Sequence, residues 1–155
     1  MHFNPHVEAA LPDAMAVAIG EARQADRPFG AVLVDAERGD VVARARNTAS
    51  SGDPTAHAEI NVIRAAGPLG VALDRTILVT TAAPCVMCAG AVIWSRVQGV
   101  VVGCGAVRLA ELGWPGLVIP EDELMARSPF PPLPWVTGVL EDEVAELYRT
   151  TTPPR

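Results

Sequence analysis

Two short apolar runs with a helical segment between them restrict the fold of this chain more than any other feature. The runs are RTILVTT (75–81) and VQGVVVGCG (97–105), and apolar runs of this length predict buried strands. The second run is expected to be buried on both faces. The segment between them, from Pro84 to about Ser95, predicts a helix. Helices that separate buried strands indicate an α/β fold in which helical layers sandwich a sheet.

Weaker signals place the other elements around these strands. The runs FGAVLVD and DVVARAR flank the segment AERG and predict a β-hairpin. The segment DPTAHAEINVIRAAG predicts a helix with Asp53 as its cap, Pro54 in its first turn and Gly67 at its end. The remaining predictions are helices over residues 13–24 and 141–149, a strand over 135–140 and an extended surface loop over 113–134.

Length and cysteine content bear on domain count and compartment. A chain of 155 residues, of which 50% are hydrophobic, has the usual size of one domain. We therefore expect a single domain over residues 1–148 and a disordered tail over 149–155. The three cysteines are an odd number, the N-terminus lacks the regions of a secretion signal, and no apolar stretch is long enough to span a membrane. These features favour a cytoplasmic, reducing setting.

The charge of the chain argues against a polyanionic partner. The net charge is −6 and the isoelectric point is near 5.0. Every basic residue is an arginine, and no stretch gathers several of them. Proteins that hold nucleic acid usually carry a basic patch. The sequence therefore predicts no nucleic-acid partner.

Cys85 and Cys88 lie three residues apart at the start of the helix that follows the first buried strand. At this spacing they share one helix face, and the free N–H groups of the first turn favour thiolates. In a reducing compartment a structural disulfide is not expected. Metal binding and thiol redox chemistry both fit the pair, and its spacing alone does not decide between them.

A metal would need a third ligand, and the histidines are the first candidates. His2 and His6 lie in an N-terminus that we expect to be mobile, whereas His57 lies near the start of a predicted helix. Glu59 follows it by two residues, and near a helix start both side chains can face one metal ion. Cys104 is the spare thiol, and it could close a purely structural site as a fourth ligand.

The pattern H-A-E followed by P-C-x-x-C resembles the zinc-dependent cytidine and deoxycytidylate deaminase superfamily. The resemblance runs from about residue 29 to 105, through PFGAV, DPTAHAEI and PCVMCAGAVIWSRV. It implies a three-layer α/β/α sandwich with a central, mostly five-stranded mixed sheet. Within the superfamily the chain is most similar to the guanine deaminase and tRNA adenosine deaminase branch, and AGAVIWSRV and ELGWPG resemble the guanine deaminases. Ala83 departs from that branch, which usually has Glu there, whereas a cytosine deaminase branch tolerates a small residue.

The resemblance implies a zinc ion held by His57, Cys85 and Cys88. A neutral imidazole and two thiolates would leave zinc without net charge and with one open position for water. Glu59 would stay unligated and carry the proton from that water to the ring nitrogen and then to the departing amine, a role worth about 10² to 10⁴ in rate.

The resemblance also implies the substrate contacts. Asn47 would read the base, Ala58 would supply a backbone contact beside the metal, and Phe29 or Trp94 would wall the pocket. Apart from the resemblance, Trp114 and Trp135 lie in or beside the proline-rich loop, from which an aromatic side chain would close over a flat ring by stacking. Each aromatic residue also suits an ordinary core or loop position.

Three functions follow from these residues. The first is hydrolytic deamination of a free nucleobase or a related small aminated heterocycle, with guanine foremost and cytosine or a nucleoside as variants. The second is deamination of adenosine in tRNA, which the net charge disfavours. The third is a zinc-stabilised interaction protein without catalysis, which an intact Glu59 disfavours. The apolar helix CVMCAGAVIWS and the family resemblance predict a homodimer.

Overall fold

The computed structural model describes residues 3–153, and its centre is a five-stranded mixed sheet. The strands are β1 (Gly30–Asp35), β2 (Val41–Arg46), β3 (Thr76–Ala82), β4 (Val100–Cys104) and β5 (Trp135–Thr137), in the spatial order β2-β1-β3-β4-β5. Strand β1 pairs antiparallel with both β2 and β3, whereas β4 is parallel to β3 and to β5. The predicted hairpin and the predicted mixed sheet are confirmed.

Helices cover both faces of this sheet. They are α1 (Pro5–Ala22), α2 (Ala58–Ala66), α3 (Val86–Ser95), α4 (Ala106–Glu111), α5 (Glu121–Arg127) and α6 (Glu141–Thr150). Successive side chains of a strand point to opposite faces. In β1, Val32 and Val34 accordingly join a core cluster with α1 and α6, whereas Ala31 and Leu33 join a second cluster with α2 and α3. The three-layer α/β/α sandwich is confirmed, and β4 is buried at all its residues.

Helix α2 begins later than its sequence suggests. Asp53 does not cap it: its Oδ1 accepts hydrogen bonds from the Thr55 amide and hydroxyl, and so closes a local turn. The helix starts at Ala58, with His57 at the N-cap position. The predicted start at Asp53 is wrong because a competing side-chain turn captures the capping residue.

The predicted surface loop over residues 113–134 is also wrong in part. It contains α5, and its first aromatic residue, Trp114, is buried with 6% of its surface exposed. Of the tail expected to be disordered, Arg149 and Thr150 belong to α6 and Pro153 lines the cavity described below. Residues 154 and 155 lie outside the described residues. No helix within residues 3–153 has the length and hydropathy that a membrane crossing needs.

Candidate active site

The N-termini of α2 and α3 meet beside the carboxyl end of β3. Both helices pack on the same face of the sheet, where Val62 of α2 and Val92 of α3 belong to one core cluster. Each helix begins with a candidate ligand at its N-cap, His57 for α2 and Cys85 for α3, in extended backbone geometry. Pro84 precedes Cys85 directly after the strand. The packing of α2 and α3 on this face of the sheet therefore brings together two segments that are distant in sequence.

His57, Cys85 and Cys88 form one compact donor group. The Nδ1 atom of His57 lies 3.5 Å from the Sγ of Cys88 and 3.7 Å from the Sγ of Cys85. The three donor atoms lie within 4.8 Å of one another, and no other such group of metal-ligating side chains occurs within residues 3–153. One imidazole nitrogen and two thiolates are a donor set that zinc prefers, and catalytic zinc sites keep three protein ligands. The residues therefore fit a zinc ion.

Cys104, the alternative fourth ligand, lies outside this group. It is buried at the end of β4, opposite Ala82 of β3, and its Sγ contacts the carbonyl of Gly105. Burial raises the pKa of its thiol to about 11. Cys104 is therefore a core side chain in this structure, not a metal ligand.

The two thiols of the donor group have opposite pKa shifts. The pKa of Cys85 is lowered to about 4 because it accepts hydrogen bonds from Cys88 and from His57, although partial burial opposes the shift. The same hydrogen bond with Cys85, together with burial, raises the pKa of Cys88. The hydrogen bond to Cys85 also raises the pKa of His57. A thiolate at Cys85 is thus stabilised by its neighbours, as a metal-ligating cysteine requires.

Glu59 is buried next to the donor group without belonging to it. It occupies the first turn of α2, only 6% of its surface is exposed, and its Oε2 accepts a hydrogen bond of 3.6 Å from Cys88. Burial raises the pKa of its carboxyl group. A carboxyl group that is desolvated but not bound to metal suits proton transfer.

A cavity of about 280 Å³ opens onto these residues. His57, Glu59 and Cys85 line it together with Asn47, Phe29 and Trp114, and the rest of its lining includes Arg27, Ala83, Leu109, Val118 and Pro153. This volume is at the small end for ligand-binding cavities, which favours a compact ligand. The cavity therefore brings most of the residues predicted from the sequence into one space.

Asn47 lies directly after β2 with 5% of its surface exposed. Its backbone N–H donates to the carbonyl of Phe29 at 3.0 Å, and its Oδ1 accepts a hydrogen bond of 3.0 Å from the Ala49 amide. These two bonds fix the side-chain amide at the cavity wall. Its Nδ2 donates to no group within residues 3–153 and is available to a ligand.

Phe29 and Trp114 line the cavity and pack against a third aromatic residue, Tyr148, which is not among the lining residues. The ring centroid of Phe29 lies 5.5 Å from the ring centroid of Trp114 and 5.5 Å from that of Tyr148. Tyr148 is buried in α6, and its hydroxyl donates to Thr81 Oγ1, which also accepts the Gly30 amide. The sequence interpretation missed Tyr148, because nothing local in EDEVAELYR relates it to residues more than a hundred positions earlier.

Two other predicted contacts are placed differently. Trp94 does not line the cavity: 71% of its surface is exposed on α3, and its ring packs edge-on against Phe130 at 5.2 Å. Of the two aromatic residues predicted to wall the pocket, Phe29 lines this cavity and Trp94 does not. Ala58 is fully buried beside His57 and is not among the cavity-lining residues. His6 lies in the first turn of α1, and His2 is outside the described residues.

The known proteins that resemble this chain in sequence include several deaminases. The family profile described as the cytidine and deoxycytidylate deaminase zinc-binding region matches residues 9–104. The chain is 43% identical over 90 residues to a guanine deaminase of Bacillus subtilis, covering 56% of this chain and 56% of that one. It is 45% identical over 96 residues to a tRNA-specific adenosine deaminase of the same organism, covering 57% and 58%. It therefore spans less than two thirds of each relative's length.

A solved structure extends the similarity to the whole fold. It is described as a guanine deaminase from Nitrosomonas europaea, with a TM-score of 0.74 and 28% identity over 96% of this chain and 85% of that chain. The chain therefore shares its overall fold with this neighbour. The family profile, in turn, covers the stretch of sequence that contains His57 and the cysteine pair.

Proposed function

Since the chain belongs to the cytidine and deoxycytidylate deaminase zinc-binding family, we propose that it replaces the exocyclic amine of a free nucleobase by a carbonyl oxygen, with guanine as the first candidate. The observation that carries this proposal is one cavity in which the metal donors His57 and Cys85 face the unligated Glu59. A closed structural metal site would have no use for a buried carboxyl group that opens onto a small cavity. The same observation disfavours a non-catalytic interaction protein.

His57, Cys85 and Cys88 would hold a zinc ion, which when bound would lower the pKa of water and so supply a nucleophile at neutral pH. Glu59 accepts one proton from the attacking water and donates it to the ring nitrogen. It then accepts the remaining proton from the newly added hydroxyl group, whose oxygen becomes the carbonyl oxygen, and donates it to the departing amine. Water supplies the oxygen of the product, and the amine leaves as ammonia. Burial of Glu59 keeps its carboxyl group out of bulk water during these transfers.

Substrate positioning falls to the cavity walls. The free Nδ2 of Asn47 can donate to an acceptor on the edge of a base, and the Ala58 backbone lies beside His57. The rings of Phe29 and Trp114 suit a flat heterocycle, which aromatic side chains bind by stacking or edge contacts. A cavity of about 280 Å³ accommodates a base more readily than a nucleotide inside a folded RNA.

Deamination of adenosine in tRNA is the second candidate, because one relative with 45% identity has that activity. Binding of a folded polyanion requires several cationic groups around the site. Within residues 3–153, Arg27 is the one arginine that lines the cavity, and the first turn of α6 is acidic at Glu141, Asp142 and Glu143. These charges favour a small neutral substrate.

Ala83 bears on which base is used. It lines the cavity at the end of β3, where the guanine deaminase branch usually has Glu. Cytosine and aminated triazines therefore belong in the same test as guanine.

The experiment that tests the function is a screen for ammonia release from purified, zinc-loaded protein. Guanine, cytosine, adenine, their nucleosides and an aminated triazine are assayed in parallel, with Glu59→Gln as the matched inactive control. We expect ammonia from a free base, with guanine the fastest. Ammonia release from none of them, or equal release by Glu59→Gln, would contradict the proposal.

A further inference from the structure

The segment between β2 and α2, residues 47–57, has little apolar packing to hold it in place. It carries Asn47 at one end and His57 at the other, and residues 51–55 between them are all exposed. Asn47 itself is buried, but the exposed stretch that joins it to the metal-binding helix is held mainly by hydrogen bonds. The bonds that span this segment decide where the amide of Asn47 lies relative to the donor group.

One backbone hydrogen bond, from the Thr48 N–H to the Ala56 carbonyl at 2.9 Å, spans the segment, and one side chain of α2, Asn61, adds bonds at both of its ends. Its Nδ2 donates to the carbonyl of Arg46 at 2.9 Å and to the hydroxyl of Thr48 at 2.9 Å, the two residues that flank Asn47. The same atom lies 3.2 Å from the carbonyl of Ala56, the residue before His57. Three acceptors on one amide nitrogen share its two hydrogens.

The backbone of Asn61 is tied to the metal site as well. Its N–H donates to the carbonyl of His57 at 2.9 Å, which is the first hydrogen bond of the helix behind its N-cap. Asn61 thus bonds to both neighbours of Asn47 and to both His57 and the residue before it. The side chain of Asn61 therefore bridges the two ends of the segment.

We infer that Asn61 is a positioning residue that fixes Asn47 relative to the metal ligand His57 and so sets the orientation of the substrate. The inference rests on the proposed function, because it takes Asn47 to contact the substrate. Asn61 itself is absent from the cavity lining and acts through Asn47. A displacement of about 1 Å in a substrate-positioning group can lower a rate about 10²-fold.

A double-mutant cycle tests this dependence. We expect Asn61→Ala to lower kcat/KM by about tenfold to a hundredfold while zinc content stays at the wild-type value. In an Asn47→Ala background the same substitution should lower it by less than about threefold, because residues that act as a unit are not additive. Gln98→Ala is the matched control: its Nε2 also donates to a backbone carbonyl, that of Asp74, far from the cavity. It should leave kcat/KM unchanged.

Hydrogen exchange supplies a readout that does not depend on the substrate. With zinc bound, Asn61→Ala should speed exchange of the Thr48 and Ala49 amides and leave α3 unchanged. Asn61→Ser, which keeps one donor, should give a smaller effect and serves if the alanine variant does not fold. Unchanged exchange, fully additive losses in the cycle, or an Asn47→Ala variant with normal kcat/KM would each overturn the inference. If the wild-type protein deaminates none of the bases, the proposed function fails, and the exchange rates still decide whether Asn61 holds the segment.

Discussion

The indole Nε1 of Trp114 donates a hydrogen bond of 3.1 Å to the backbone carbonyl of Tyr148. This bond joins the segment after α4 to the last helix, α6. The two rings lie 5.9 Å apart, and each also packs against Phe29 at the start of β1. The cavity wall formed by Phe29 and Trp114 is therefore supported by Tyr148 of α6, a helix that neither lines the cavity nor contains a metal ligand.

The first prediction concerns this wall. Trp114→Ala should lower the free energy of unfolding by about 3–5 kcal/mol, because a large buried ring is lost. Trp114→Phe keeps a ring but leaves the Tyr148 carbonyl without its donor, and it should cost about 1–3 kcal/mol. In both variants KM should rise more than kcat falls, because Trp114 lines the cavity without belonging to the donor group.

Urea unfolding and steady-state kinetics check these values. Leu69→Ala, at a side chain that is 60% exposed, is the control and should change stability by less than about 0.5 kcal/mol. An unchanged KM in Trp114→Ala would show that the indole does not shape the binding cavity.

The fold and the donor group could be predicted because their signals are local. Apolar runs with helices between them indicated the sandwich, and that prediction is confirmed. The three donor residues each lie at or near a helix start. The three-residue spacing of Cys85 and Cys88 places both side chains on one face of their helix. Glu59 follows His57 by two residues, and the same local reasoning predicted that it faces the metal site. These inferences needed no knowledge of how distant segments pack.

The errors arose where the answer depends on packing. Asp53 has the composition of a helix cap, but its bonds to Thr55 close a turn instead, and the capping position passes to His57. Trp94 and Trp114 were equally suited to the pocket by residue type. Only the tertiary structure separates them: the first is exposed on α3, and the second is buried against α6.

The second prediction is one zinc ion per chain. Cys85→Ser should lower zinc content well below one per chain and reduce the melting temperature, because metal binding stabilises the folded state. Cys104→Ala provides the matched control, since Cys104 is also a free cysteine but lies outside the donor group. It should retain one zinc ion. Elemental analysis of the purified variants checks both values, and equal zinc in Cys85→Ser and wild type would refute the ligand assignment.

The third prediction separates Glu59 from the metal ligands. Glu59→Gln should keep the fold and the zinc ion but lower kcat by about 10²-fold to 10⁴-fold or more. The amide has the same shape as the carboxyl group but cannot accept a proton from water and pass it on. Glu146→Gln is a surface control, since Glu146 is exposed and pairs with Arg149 on α6. It should retain full turnover. If Glu59→Gln lost zinc together with activity, Glu59 would instead support the metal site structurally.

The fourth prediction is a homodimer that uses the outer face of α3. Trp94 and Phe130 form an edge-on aromatic pair there, and the guanidinium of Arg96 lies 4.4 Å from the Phe130 ring centre. A tryptophan that is 71% exposed suits a protein contact better than contact with water. Light scattering should give twice the chain mass, and Trp94→Arg should shift the protein towards monomer. A monomer mass for the wild-type protein at working concentration would contradict this assignment.

The fifth prediction uses salt to distinguish a free base from tRNA. A protein that contacts many phosphates loses affinity by orders of magnitude between about 50 and 200 mM salt. The reason is that the release of condensed counterions becomes less favourable as the salt concentration rises. With a net charge of −6, this chain should bind no tRNA measurably at physiological salt. A neutral base is held by ring contacts and a few hydrogen bonds within the cavity, and salt screens such contacts little. We therefore expect kcat/KM for the free base to change by less than about twofold over that range of salt. Tight, salt-dependent tRNA binding with inosine formed in the RNA, and no turnover of any free base, would reverse the order of the two candidate functions.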